Sequence, residues 1–458
     1  EIFMLKVCRN NKTKVKEQIN KKILDGIAIS NSNLVDDIIL SMQRHGVLDC
    51  LDEGFPDKRK QNSYIPLRFI MALAIASKMK IKTSLSDIPY AITSHKTLAE
   101  LGWNAIGTRD DDGWLNEGTI RYLINKYKSS NIFDYYNDIV QNHIFEKLNI
   151  RTNIHILDCT KIAVNFDNKN YENATISYDR KGNKMRGYKL ASLRGLYNDN
   201  GVIEELKFGT ANIHDLTLSK DILFNSNCLH ENDILLMDRG FISRDIIKYL
   251  KDVRKVDVYI PMRRNMSEYE MAIALAKEKD DWQKHPVREG QMICHIPYVD
   301  ALWQGCKVDN FVPFNSVVIW FEDTQSYAVI TTTDLSKSAK DIIMTYELRP
   351  EIEEDFRQLK DFWKLEDFKS TKLNVISFHI VCVLFGYLFY QLYLNTKDGE
   401  KYIGKCLPAI LKNSKTQFTE YLVLYSGDYF CSMSLKEFIM FRDECCEDIK
   451  EFILNNVK

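Results

Sequence analysis

Between residues 150 and 264, short apolar runs alternate with amphipathic stretches. Residues 153–157 (NIHIL) form a β-type run that ends at Asp158. Residues 233–237 (DILLM) read as a buried strand ending at Asp238, and residues 256–260 as a third strand. Residues 187–196 and 202–209 predict two strands joined by a turn at Asn198-Asp199-Asn200-Gly201. Residues 215–224 and 243–251 carry helical periodicity. Strands that alternate with helices predict an α/β sheet.

The pattern differs on either side. Residues 1 to 150 read as mostly helical, with amphipathic signals at 64–80 and 119–128 and a loop rich in Gly and Asp at 102–118. Beyond residue 264, a charged helix (268–279) precedes β-rich sequence. There the runs 316–321 and 327–333 predict a hairpin. A strong helix is expected at 345–363, and helical sequence of mixed charge from 397 onward. The expected organisation is a helical N-terminal domain (1–150), an α/β core (151–263 and 337–395), a β-rich insertion subdomain (264–336) and a helical C-terminal region (396–458).

One run stands apart. Residues 376–394 contain no Asp, Glu, Lys or Arg and are long enough to span a bilayer. The run is solitary and carries His379 and Gln391, so a buried core helix is the reading adopted, and no membrane is expected as a partner. A membrane anchor is the competing one.

Composition narrows the class. The chain has 458 residues, of which 45% are hydrophobic and 27% charged, which excludes a disordered or fibrous protein. Its 62 Lys and Arg balance 63 Asp and Glu, which excludes a uniformly basic, histone-like binder. A nucleic-acid enzyme with basic patches stays open. The 11 cysteines are odd in number and show no CxxC spacing, and no secretory leader is read, so reduced thiols and a cytoplasmic location are expected rather than zinc or disulfides.

The candidate chemistry is acidic. Asp158 and Asp238 each close an apolar run, and ligand sites gather at the carboxyl ends of strands in open α/β sheets. Either Asp alone could equally start a turn or cap a helix. On a helix at 345–363, Tyr346, Arg349, Glu353, Arg357 and Lys360 fall on one polar stripe. Leu348, Ile352, Phe356, Leu359 and Trp363 form an adjacent apolar one. The stripe could be ion pairs on a solvated face. It could also bring Glu353 to the two aspartates. Three carboxylates can hold two hard divalent cations for in-line phosphoryl displacement, with neighbouring Arg and Lys gripping phosphates. The stretch 178–194, with Arg180, Lys181, Lys184, Arg186, Lys189 and Arg194 against Asp179, reads either as a phosphate track or as a solvated hairpin. His214-Asp215 reads as a helix start.

The helix Tyr346-x2-Arg349-x3-Glu353-x6-Lys360 resembles the Y-(2)-R-(3)-E-(6)-K signature of DDE transposases of the insertion-sequence-four type. The blocks Leu157-Asp158-Cys159-Thr160 and Met237-Asp238-Arg239-Gly240-Phe241 are similar to that family too, and the order Asp, Asp, Glu agrees. The resemblance covers residues 150–395. It implies a ribonuclease-H-like catalytic core with a β-rich insertion before the Glu helix. It also implies cut-and-paste transposition with two Mg²⁺ or Mn²⁺ held by Asp158, Asp238 and Glu353. Water would attack the phosphodiester at the element end, and the freed 3′-OH would attack target DNA. Tyr346, Arg349 and Lys360 would orient terminal phosphates, with Arg357, Arg239, Lys184, Arg186 and Lys189 as further DNA contacts. Some relatives hold a flipped base on an aromatic, for which Trp282, Trp303 and Trp320 are candidates. The partners implied are DNA (terminal inverted repeats and target) and a second copy of the chain. A domesticated, non-catalytic DNA-binding protein and a nuclease without strand transfer are the alternatives.

Overall fold

The computed structural model describes residues 8–53, 65–103, 106, 115–179, 181–198, 200–299, 312–413 and 419–457. The expected loop at 102–118 falls mostly outside them. The chain forms two compact units, one of residues 140–358 and one of residues 1–139 with 359–458. Neither coincides with one of the four segments read from the sequence.

The chain opens with strands β1 (Arg9–Asn10) and β2 (Gly26–Ser32). Among the helices that follow are Leu34–Arg44, Leu67–Met79 and Ser129–Asp138. Asn33 caps the first of these with a full capping box to Asp36.

The unit 140–358 is built on one mixed sheet. Its strands are β3 (Ile154–Val164), β4 (Thr175–Tyr178), β5 (Lys184–Tyr197), β6 (Asn200–Thr210), β7 (Ile234–Met237), β8 (Asp257–Pro261), β9 (Gln283–Lys284), β10 (Gln291–Val299), β11 (Phe314–Phe321) and β12 (Ser326–Thr332). The order is β4-β5-β3-β7-β8-β12-β11-β10-β9, with β6 also on β5. β5 runs antiparallel to β3 and β6, whereas β3, β7 and β8 are parallel. β5 and β6 meet at a tight turn carried by Asn198 at φ 48°, a left-handed conformation that Asn tolerates. Leu157, Leu193, Met237, Val258, Ile260 and Val318 share its main buried cluster.

Three features differ from the expected pattern. β3 does not stop at Asp158. Its parallel pairing with β7 ends at Leu157–Met237, but its antiparallel pairing with β5 continues to Val164–Arg186. Thr160 and Ile162 keep the alternation of buried positions going. Residues 264–336 supply the helix Ser267–Lys279 and β9–β12, and β12 pairs antiparallel with β8, so these strands continue the same sheet. The expected hairpin is β11–β12. Finally, the helix expected at 345–363 is two, Ala339–Tyr346 and Pro350–Asp361. Pro350 lacks an N–H and disfavours helical backbone at the residue before it, so the chain turns at 347–349 and a new helix starts with Pro350 in its first position.

The other unit is organised around the helix Leu373–Leu394, buried from Val375 to Leu394 except at Gln391. It packs against Leu67–Met79 and Ser129–Asp138. It is long and apolar enough to cross a membrane by composition, yet behaves here as a core helix. The C-terminal residues, expected to be helical, contain the hairpin β13 (Thr419–Ser426) and β14 (Tyr429–Met433). With β1 and β2 they form a four-stranded sheet in the order β1-β14-β13-β2. The run YLVLY alternates its burial poorly, but its β-branched and aromatic content favours a strand, and Gly427 supplies the left-handed turn at φ 59°.

Candidate active site

Asp158 and Asp238 each follow the last paired residues of two parallel neighbours, Leu157 on β3 and Met237 on β7. They therefore stand side by side where β7 ends. Asp158 is 8% exposed, and its Oδ1 accepts from the Cys159 amide at 2.7 Å. Asp238 begins a single turn, Arg239–Phe241, closed by the Phe241 amide donating to the Asp238 carbonyl. The Arg263 guanidinium donates to the carbonyls of Arg239 (2.9 Å) and Gly240 (3.3 Å) and pins that turn.

Glu353 lies in the first turn of the helix Pro350–Asp361. Arg349, just before that helix, joins it to the strands. One guanidinium nitrogen donates to Asp158 Oδ2 at 2.8 Å, and another pairs with Glu353 Oε1. The Tyr346 hydroxyl donates to the Met237 carbonyl at 3.3 Å, fixing the end of β7 directly ahead of Asp238. Tyr346, Arg349, Glu353, Asp158 and the Asp238 turn thus form one constellation. The path is a helix, a tight turn and a second helix, not the single stripe expected from the sequence.

Electrostatics match this crowding. Burial pushes the Asp158 carboxyl up to about 6, and the negative fields of Asp238 and Glu353 add to it, while Arg349 and the Cys159 amide oppose. Burial works against the Arg349 charge, but Asp158 and the neighbouring acids outweigh it, so the guanidinium is held more firmly protonated than usual. Burial also raises the Tyr346 hydroxyl above its ordinary value, so it acts as a neutral donor.

The donor set suits a hard divalent cation. It offers carboxylate oxygens from three elements, and their mutual repulsion is what a cation relieves. As placed, however, no group of three ligands among the described residues is ready to hold an ion. The Arg349 guanidinium supplies the positive charge between Asp158 and Glu353.

The remaining expected site residues divide. Arg239 and Lys184 are exposed. Arg186 donates to the Phe166 carbonyl and lies over the Phe166 ring. Arg357 is held in a fork by Glu354, and Lys360 pairs with Glu366 at 3.2 Å. Lys189 is 6% exposed, with its ammonium on Asp215 (2.6 Å) and the Ile213 carbonyl, so it faces inward and is no part of a surface track. Arg194 is buried likewise. Trp282 lies 6.3 Å from both Trp320 and Tyr327 in an aromatic cluster, which leaves neither tryptophan singled out. Trp303 and Arg180 lie outside the described residues.

Sequence reasoning missed the supporting roles of Arg263 and Asp215, and put Arg194 on a phosphate track or a solvated hairpin. Arg263 has no motif to announce it, and Arg194 is instead buried against Glu351 and Asp355. Asp215, read only as a helix start, does open the helix Asp215–Asn225 behind the His214 cap, and also holds Lys189. Its Oδ2 lies 4.0 Å from where a Cβ on Gly240 would stand, close to the Asp238 turn.

No curated protein matches the chain. Its sequence matches the family described as Transposase DDE domain over residues 151–389, which spans β3, β7 and the Glu353 helix together. That match runs over more than half of the sequence, and the chain belongs to the Transposase DDE domain family.

Proposed function

We propose that this protein is an active cut-and-paste DNA transposase of the insertion-sequence-four type. In this reading Asp158, Asp238 and Glu353 are its metal-binding triad, and it cleaves element ends and transfers the 3′-OH into target DNA. The observation that carries the reading is the placement of Asp158 and Asp238 side by side where the parallel pairing of β3 and β7 ends, with Glu353 tied to Asp158 through Arg349. The order β6-β5-β3-β7-β8, antiparallel then parallel, supports a ribonuclease-H-like core. The helical residues ahead of 150 are read as the DNA-end-binding region, and a second copy as the partner on paired ends.

Asp158, Asp238 and Glu353 would hold two Mg²⁺ or Mn²⁺. Bound divalent cations activate an attacking oxygen and stabilise the departing one. The chain's own residues do the rest. Tyr346 fixes the backbone ahead of Asp238. Arg349, released from the carboxylates, can bind a phosphate as a fork. Arg239 and Lys184 are exposed for phosphate contact, and Lys360 completes the signature.

The test is cleavage of DNA carrying the element's terminal repeats in Mg²⁺. Losing one metal-binding carboxylate removes several kcal/mol of transition-state stabilisation, so Asp238→Ala is expected to slow cleavage by roughly 10³-fold or more. Undiminished cleavage by Asp238→Ala would sink the reading. The Arg349 bridge favours one alternative, a DNA-binding protein that has lost catalysis. Tight terminal-repeat binding without cleavage in Mg²⁺ or Mn²⁺ would establish it.

A further inference from the structure

We propose that Arg194 is a positioning residue for Glu353, setting the rotation of the Pro350–Asp361 helix about its axis so that the third carboxylate reaches a divalent cation. The inference rests on the metal-site reading above.

Arg194 belongs to β5, is 4% exposed and reaches the helix through two contacts. Its Nε donates to Asp355 Oδ2 at 2.6 Å, and Nη2 pairs with Glu351 Oε2 at 2.8 Å. On β3 its cross-strand partner is Ile156, while that of Asp158 is Ser192. Arg194 and Asp158 are thus displaced by two residues on both strands and point to the same face of the sheet. At 100° per residue the buried Ile352 and Phe356 form the underside of the helix. Glu351 and Asp355 then fall on one flank and Glu353 on the other. Arg194 grips one flank, and Arg349 with Asp158 holds the opposite flank.

Two anchors on opposite flanks fix rotation where an apolar underside alone does not. Side-chain tips lie about 5–6 Å from a helix axis, so a rotation of about 20° carries a carboxylate by roughly 2 Å. Metal ligation tolerates about 0.2 Å. The pocket for Arg194 is also built into the sheet. A Cβ at Gly201 on β6 would overlap the Arg194 guanidinium where it lies, so a larger residue there would have to push it aside.

The experiment titrates the full chain with Mn²⁺ alone, reading free Mn²⁺ by electron paramagnetic resonance and folding by thermal melting. Glu353→Gln reports on the site itself. Gly201→Ala displaces Arg194 while keeping every charge. Arg194→Met combined with Glu351→Gln and Asp355→Asn removes the clamp without leaving an unpaired buried charge. Supporting-shell changes weaken metal binding by roughly 10–100-fold, so both clamp variants are expected to lose at least about 10-fold in Mn²⁺ affinity, with Arg194→Lys retaining part of it. If the triple variant does not fold, Gly201→Ala and Arg194→Lys decide. A lower melting temperature with wild-type Mn²⁺ affinity in the clamp variants, alongside weakened binding by Glu353→Gln, overturns the positioning role alone. Equal binding by wild type and Glu353→Gln overturns the metal-site reading, and the positioning role with it.

Discussion

The Arg349 guanidinium faces two carboxylates at once, and such groups explain which residues could be recognised from sequence and which could not. The adjacency of Asp158 and Asp238 was legible because each follows an apolar run, and the parallel pairing of β3 and β7 stops just ahead of both, although β3 itself runs on to Val164. Lys189 was not. β5 is buried along most of its length on both faces, so no alternation tells which side chains face outward, and its partner Asp215 is distant in sequence. The same strand-rich region hides a second charged cluster. His155 is fully buried between Glu204 (2.7 Å) and Asp233 (3.1 Å), and Arg151 also pairs with Asp233. Burial opposes its charge, yet the two acids raise its pKa to about 9. The folded value lies above the unfolded one, so the stabilisation is complete below about pH 6.5 and is lost as pH rises through about 9. Urea unfolding at pH 6 and pH 9.5 is expected to show that loss in the wild type and a flatter profile in His155→Gln; parallel profiles would refute the assignment.

Among the secondary-structure elements, local chemistry misled wherever one residue outweighed periodicity. Pro350 splits a run whose apolar spacing is continuous, which is why Tyr346 and Glu353 sit on different helices and still converge. The hairpin β11–β12 was legible, but β9 and β10 were not placed, and the attachment of β12 to β8 is a non-local choice that no local pattern encodes. The apolar helix Leu373–Leu394 was legible in type and in burial. Its stability comes from packing. Phe385 is fully buried, with its ring centroid 5.9 Å from that of Tyr135 and 4.7 Å from that of Tyr136. Phe385→Ala is expected to cost about 3–5 kcal/mol, measurable by denaturant unfolding. A loss below about 1 kcal/mol would point instead to a face turned away from the core.

Across the molecule, the two ends of the chain meet in one sheet, with β13 between β2 and β14. Residues 1–139 therefore lack half of their own sheet and the Leu373–Leu394 helix. Truncation tests this dependence: the chain cut before residue 419 leaves β2 as an unpaired edge. It is expected to aggregate or to be digested rapidly by protease, whereas stable, soluble behaviour would show the sheet to be dispensable. Two glycines carry a different lesson. Just as Gly201 accommodates Arg194, a Cβ at Gly195 would overlap the Glu204 carboxylate. On the proposed transposase reading, screening copies of the gene for Asp158, Asp238 and Glu353 alone would pass one that had acquired alanine at 195 or 201. Such a copy would have a buried charge pushed aside by a single methyl group, every signature letter still in place.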